Sequence, residues 1–212
     1  MARTKALPEL LLSGKLGNLV FVQQGDEVIV RTAPRKRKPD SWSEKQLAHR
    51  ARFQAVNRYY QSWREQVVKP IWNQAATAKQ TGYNLFIKAN MPAFDASGTI
   101  GDYSLLHFST GALALPQALT ASRTEDSPDI VRLSWKTDCL TRMEHANDEL
   151  LLVLLQEEER RGPITTGAQR QDGSYELQLP PTPPDKPWHA YLFFRNAAHR
   201  IYSPDKYFLL HG

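Results

Sequence analysis

Past Phe94 the sequence breaks into short apolar runs separated by Gly, Ser, Asp and Pro, and this punctuation constrains the fold more than any other feature. The runs are LALPQALTASR, DIVRLSWKTD, DELLLVLLQEE, SYELQLP, WHAYLFFRN and RIYSPDKYFLLHG. Strands at such intervals, joined by turn-rich segments, predict an antiparallel β-sandwich of roughly seven strands starting near residue 110. DIVRLSWKTD alternates as a half-buried strand should, with Ile130, Arg132 and Ser134 on one face and Val131, Leu133 and Trp135 on the other. Trp135 is expected to anchor the sandwich core, and Tyr191 to pack from a late strand. PPTPPDKP (180–187) reads as a stiff loop between two strands.

The first part of the chain has a different texture. Residues 18–32, NLVFVQQGDEVIVRT, predict a β-hairpin turning at Gly25-Asp26, where glycine at the first turn position suits a type II′ geometry. Both faces carry apolar residues, Leu19, Phe21 and Ile29 against Val20, Val22 and Val28. A two-stranded ribbon cannot bury both faces alone, so it needs a packing partner. Behind it, Ser41-Trp42-Ser43-Glu44 fits a capping box that opens a helix from Trp42 to about Lys69, before Pro70. Phe53, Val56, Tyr60, Trp63 and Val67 give that helix one buried stripe. A short helix over Ile71–Lys79 is expected next, then a break at Thr81-Gly82 and a third helix over Tyr83–Lys88. The whole is an α+β chain: a hairpin-plus-helices part (1–92), a connector (93–109) and a sandwich (110–212).

Charge divides the chain in a similar way. Residues 1–88 hold 16 Lys+Arg against 6 Asp+Glu, and residues 89–212 hold 11 against 16. Within the basic half, Arg35-Lys36-Arg37-Lys38 lies between Pro34 and Pro39, which keep it extended. Such a run can neutralise phosphates and release counterions, giving salt-sensitive, sequence-independent binding to DNA or RNA. Arg31, Lys45, Arg50 and Arg52 would support the run. On a helical wheel Lys45 and Arg52 fall beside the apolar stripe while Arg50 does not, so the helix offers no single basic face. The plain alternative is a solvated linker followed by a charged helix surface.

The order of these features resembles a family of uncharacterised bacterial proteins of about this length. The resemblance rests on an SGK-x-G start (Ser13, Gly14, Lys15, Gly17), a hairpin ending in Arg31 and a basic linker containing Pro34. It continues in a helix with Gln46, Arg50, Arg52 and Phe53, where Gln46 stands four residues before Arg50 instead of the usual three. It covers the first ninety or so residues; beyond them only the strand order matches. Separately, the second half resembles an immunoglobulin or fibronectin type III sandwich, Trp135 matching an early-strand Trp and Tyr191 a late-strand Tyr. The first resemblance implies an architecture and no activity.

Catalysis is not expected. The six histidines have no metal-protease spacing, no glycine-rich phosphate loop occurs, and Cys139, the single cysteine, reads as a small packing residue. Glu157-Glu158-Glu159 reads as a solvated strand end protecting an edge, so neither metal nor cofactor is predicted. Leu10-Leu11-Leu12 is too short for a signal-peptide core, and no run of about eighteen apolar residues occurs. A cytoplasmic protein that does not contact membrane is therefore expected. The remaining class is assembly: Leu19, Phe21, Val28 and Val30 of the hairpin, with the sandwich edges, would form interfaces between copies.

Overall fold

The computed structural model describes residues 2–5, 13–24, 27–35, 42–124, 127–137, 145–157, 159–181, 186–196, 198 and 200–210. Backbone contacts divide the chain into two compact units, Met1–Ser43 and Glu44–Gly212. The helices thus share a unit with the strand-rich half, and the division falls at residue 43 where residue 92 was expected.

The first unit is a four-stranded antiparallel sheet of β1 (Ala2–Lys5), β2 (Gly14–Leu16), β3 (Leu19–Gln24) and β4 (Glu27–Thr32), in the order β1-β4-β3-β2. The expected hairpin is β3–β4, with its turn, Gly25-Asp26, outside the described residues. It is not a lone ribbon, because β1 and β2 pair along its two sides. Leu16 pairs with Leu19, so Gly17-Asn18 is a two-residue turn, and the Gly17 φ of 59° is one that glycine adopts without penalty.

Register also corrects the faces. Phe21 lies opposite Val30, Val22 opposite Ile29 and Gln23 opposite Val28. Residues directly opposite share a face, so Leu19, Phe21, Val28 and Val30 lie together, and Ile29 joins Val20 and Val22 on the other side. Alternation counted along each strand separately could not supply this, because the turn length sets the phase between strands.

The second unit opens with α1 (Glu44–Trp63), which continues as a π-helical stretch over Arg64–Trp72. It begins two residues after the expected start, and Ser41, the expected cap, lies outside the described residues. Pro70 does not end this helix, and no helix spans 71–79. The widened turns, with the Asn73 N–H donating to the Val68 carbonyl at 3.0 Å, carry the chain past a residue that has no N–H. Val67, Val68, Ile71 and Trp72 are all buried there. At about 1.5–3 kcal/mol per buried apolar side chain, they outweigh the roughly 3 kcal/mol that an internal proline costs.

α2 (Gly82–Asn90) starts where a break was expected. Thr81 is its cap, its hydroxyl accepting from the Asn84 N–H at 3.2 Å. Gly82 is buried, and a Cβ there would lie 2.2 Å from Asn73 Oδ1 and 2.8 Å from the Trp72 backbone. The glycine in this stretch permits close packing and does not mark a loop.

Among the described residues eight strands follow: β5 (Thr120–Thr124), β6 (Ser127–Ser134), β7 (Glu149–Leu155), β8 (Arg160–Gln169), β9 (Ser174–Gln178), β10 (Trp188–Asn196), β11 (Ile201–Tyr202) and β12 (Lys206–Leu210). One sheet has the order β5-β6-β9; in the other, β8, β7 and β10 are neighbours, with β11 and β12 both pairing with β10. All pairings are antiparallel. The fold is therefore a mixed α+β arrangement built on antiparallel sheets.

Its central layer is the β7–β10 sheet, buried on both sides. Leu151, Val153, Leu155, Tyr191 and Phe193 face a core made with the helices and residues 93–108. Leu150, Leu152, Leu154, Ala190, Leu192 and Phe194 face a second core made with β5, β6 and β9. This explains the unbroken apolar runs ELLLVLL and AYLFF, since neither face meets water. Trp135 lies in the second core as expected, edge-on to Phe194 at 5.5 Å, with its indole N–H donating to the Arg170 carbonyl at 2.7 Å. Tyr191 does not share that core. It faces the helices, 4.7 Å from the Phe108 ring centre, and its hydroxyl donates to the Tyr103 carbonyl at 2.6 Å.

Candidate nucleic-acid interface

Of the eight cations expected to contact an anion, Lys36, Arg37 and Lys38 lie outside the described residues. Arg31 and Arg35 are exposed and belong to the first unit. Arg31 is the penultimate residue of β4 and sits opposite Val20. Beyond β4 the Ala33 N–H donates to the Asn18 carbonyl at 2.8 Å, so the chain stays tied to the β2–β3 turn before reaching Pro34 and Arg35.

Lys45, Arg50 and Arg52 are exposed on the first half of α1, in the second unit. At about 100° per residue, Lys45 and Arg52 point to the side that Val56 and Trp63 bury further along, and Arg50 to another. The apolar stripe is thus buried only from Ala55 onward. Phe53, expected within it, is 43% exposed, while Val56, Trp63 and Val67 are buried and Tyr60 is half-buried.

Register reveals a cation that the sequence reading left out. Lys15 on β2 pairs with Val20 on β3, which pairs with Arg31 on β4. Lys15 and Arg31 therefore flank Val20 in one row on one face, both exposed. In register on β1, Arg3 pairs with Ile29 and Lys5 with Glu27. The opposite face, through Leu16, Leu19, Phe21, Gln23, Val28, Val30 and Thr32, holds no charged residue among the described ones. Sequence spacing alone cannot show this, because Lys15 and Arg31 meet only through β3.

Elsewhere two histidines are held in opposite electrostatic senses. His107 Nδ1 lies 2.9 Å from the Asp205 carboxylate, which also accepts the Phe108 N–H at 2.7 Å. That hydrogen bond to Asp205, offset in part by burial, raises the His107 pKa above its usual value. His189 stacks on Tyr103 with centroids 4.0 Å apart and makes a 2.9 Å hydrogen bond to the Tyr207 hydroxyl. Burial in this aromatic sandwich lowers the His189 pKa.

These pKa shifts have opposite consequences for stability. His107 stabilises the fold fully below its unfolded pKa of about 6.5 and loses that contribution as pH rises through its higher folded value. His189 does the reverse: the unfolded chain takes up its proton first, so stability falls as pH drops below about 6.5. Urea midpoints at pH 8, 7 and 6 test this. The deficit of His107→Gln relative to the parent is expected to widen on acidification, and that of His189→Gln to narrow. Parallel trends in the two variants would refute the assignment.

Among the described residues, no group of three or more His, Cys, Asp or Glu is placed to hold a metal. Glu159 pairs with Arg161 at 2.6 Å, Glu157 lies 3.5 Å from Lys186, and Glu158 and Cys139 lie outside the described residues. No described helix is long and apolar enough to cross a membrane. The fold and these sites define an α+β protein of two units, the first of them a small sheet with one charged and one uncharged face. No protein-family model matches the chain, and no curated protein matches it.

Proposed function

We propose that the chain is a non-catalytic binding or structural protein whose basic N-terminal part contacts nucleic acid without sequence preference. The observation that carries this reading is the exposure of Arg31 near the end of β4 and of Arg35 beyond it, the two cations that directly precede Lys36-Arg37-Lys38 in the sequence. Cations on an extended, proline-bounded segment can follow a phosphate backbone, and each phosphate neutralised adds to the salt dependence of binding. The resemblance carried by Ser13, Gly14, Lys15, Gly17 and Arg31 supports the same layout of sheet, linker and helix.

The test is binding to random duplex and single-stranded DNA between 50 and 200 mM salt, before and after changing residues 35–38 to glutamine. Loss of four phosphate contacts would make the slope of log K against log salt shallower by roughly 3–4. Absence of binding at the lowest salt, or indifference to the substitution, would sink the reading.

A second reading, self-assembly, is favoured by one feature. Leu19, Phe21, Val28 and Val30 share the sheet face that holds no charge among the described residues; Leu16 and Leu19 are exposed there, Phe21 and Val30 half-buried, and Val28 is already buried. Light scattering across a concentration series tests it, and a strict monomer at every concentration rules it out.

For the second unit we read the two sheets as an immunoglobulin or fibronectin type III-like sandwich. The first, second and fifth strands form one sheet, and in the other the sixth pairs with both the third and the last, as in that Greek-key order. The helices covering the outer face of the β7–β10 sheet are an addition to such a sandwich.

A further inference from the structure

We propose that the charged face of the β1–β4 sheet binds the nucleic-acid backbone, Lys15 and Arg31 each contacting a phosphate. This rests on the nucleic-acid reading above and assigns it a surface. Lys15, Val20 and Arg31 form a row across three adjacent strands. At about 4.8 Å between strands, the two cations stand roughly 10 Å apart, within reach of separate phosphates along one polynucleotide strand.

The row lies beside the β2–β3 turn, to which the outgoing chain is tied through Ala33 and Asn18. Arg35 therefore follows directly on the Lys15–Arg31 end of the sheet. Register places Arg3 and Lys5 of β1 opposite Ile29 and Glu27, Glu27 being the one acid among the described residues of this sheet. Among the described residues this face carries the aliphatic Val20, Val22 and Ile29 and no aromatic ring of the kind on which single-stranded bases stack. Contact is with the backbone, and the partner is a polynucleotide recognised through its phosphates.

The experiment is fluorescence anisotropy with a labelled random 20-base-pair duplex. It compares the parent, K15Q/R31Q, the conservative K15R/R31K, the arm variant with residues 35–38 changed to Gln, and K79Q/K88Q. The last removes two exposed cations from the second unit and so controls for net charge. The salt slope of K15Q/R31Q is expected to be shallower by about 1.8, with affinity at 100 mM salt down more than about tenfold. K15R/R31K and K79Q/K88Q should stay within about twofold of the parent.

If K15Q/R31Q loses no more than K79Q/K88Q while the arm variant loses binding, the sheet face is overturned and the broader reading survives. If the parent itself does not bind at 50 mM salt, both fail. A polyglutamate peptide that displaces the duplex equally well, charge for charge, would reassign the face to an acidic protein partner and overturn the proposal.

Discussion

Replacing Asp148 with alanine is expected to destabilise the second unit by about 3–5 kcal/mol, the usual cost of leaving one member of a buried ion pair without the other. Asp148 is fully buried just before β7. Its Oδ1 accepts from Asn196 Nδ2 at 2.7 Å, and its Oδ2 lies 3.3 Å from both Arg170 Nε and His145 Nδ1. Its backbone carbonyl accepts the Arg170 N–H at 2.8 Å. Arg170 in turn donates to the Ala114 carbonyl at 2.6 Å and lies over the Phe194 ring at 5.0 Å. One carboxylate thus joins the entry to β7, the turn after β8 and the end of β10. Alanine would leave the Arg170 charge and the Asn196 amide without this partner. Urea denaturation provides the measurement, and Asp148→Asn should lose less because it keeps an acceptor for Asn196. A loss below about 1 kcal/mol for Asp148→Ala would show that Arg170 finds other compensation.

Phe194→Ala is expected to cost about 3–5 kcal/mol through lost burial and the cavity left behind. The ring is fully buried in the second core against Trp135. Its neighbour Phe193 is equally buried, but in the helical core near Tyr202. The two substitutions should therefore give similar losses with different local signatures. Near-ultraviolet circular dichroism from Trp135 should change with Phe194→Ala and not with Phe193→Ala. A loss under about 2 kcal/mol at Phe194 would mean that the sheets close over the gap.

Some of this was legible in the sequence and some was not, for identifiable reasons. β6 was readable because one side of it meets water: Arg132 pairs with Glu176 at the exposed surface while Leu133 is buried. β7 and β10 were readable as strands, but their unbroken apolar runs could not say which residue faces which core. Tyr191, expected to pack from a late strand of the sandwich, therefore turned out to face the helices. β8 was missed because it is an edge strand with Ala168 as its one buried residue and with Gly162 and Pro163 in its length, so it carries little apolar pattern. β1 and β2 were missed because their strand character comes from pairing with β4 and β3, not from their own composition. Pro70 misled because a local rule about proline gave way to the burial of four neighbouring side chains. At the candidate interface the cation run was plain to see, whereas Lys15 was not, because its relation to Arg31 exists only through the strand between them.

The doubly covered β7–β10 sheet also bears on how the second unit opens. Peeling away the helices, or the β5-β6-β9 sheet, would strip one face of the same two strands and expose half of their apolar side chains. Neither outer layer can then leave at low cost, and the unit should open as one cooperative block. The backbone amides of β7 and β10 should exchange with solvent deuterium only through complete unfolding, giving a single slowest class of protons along both strands, while those of the edge strand β8 exchange sooner.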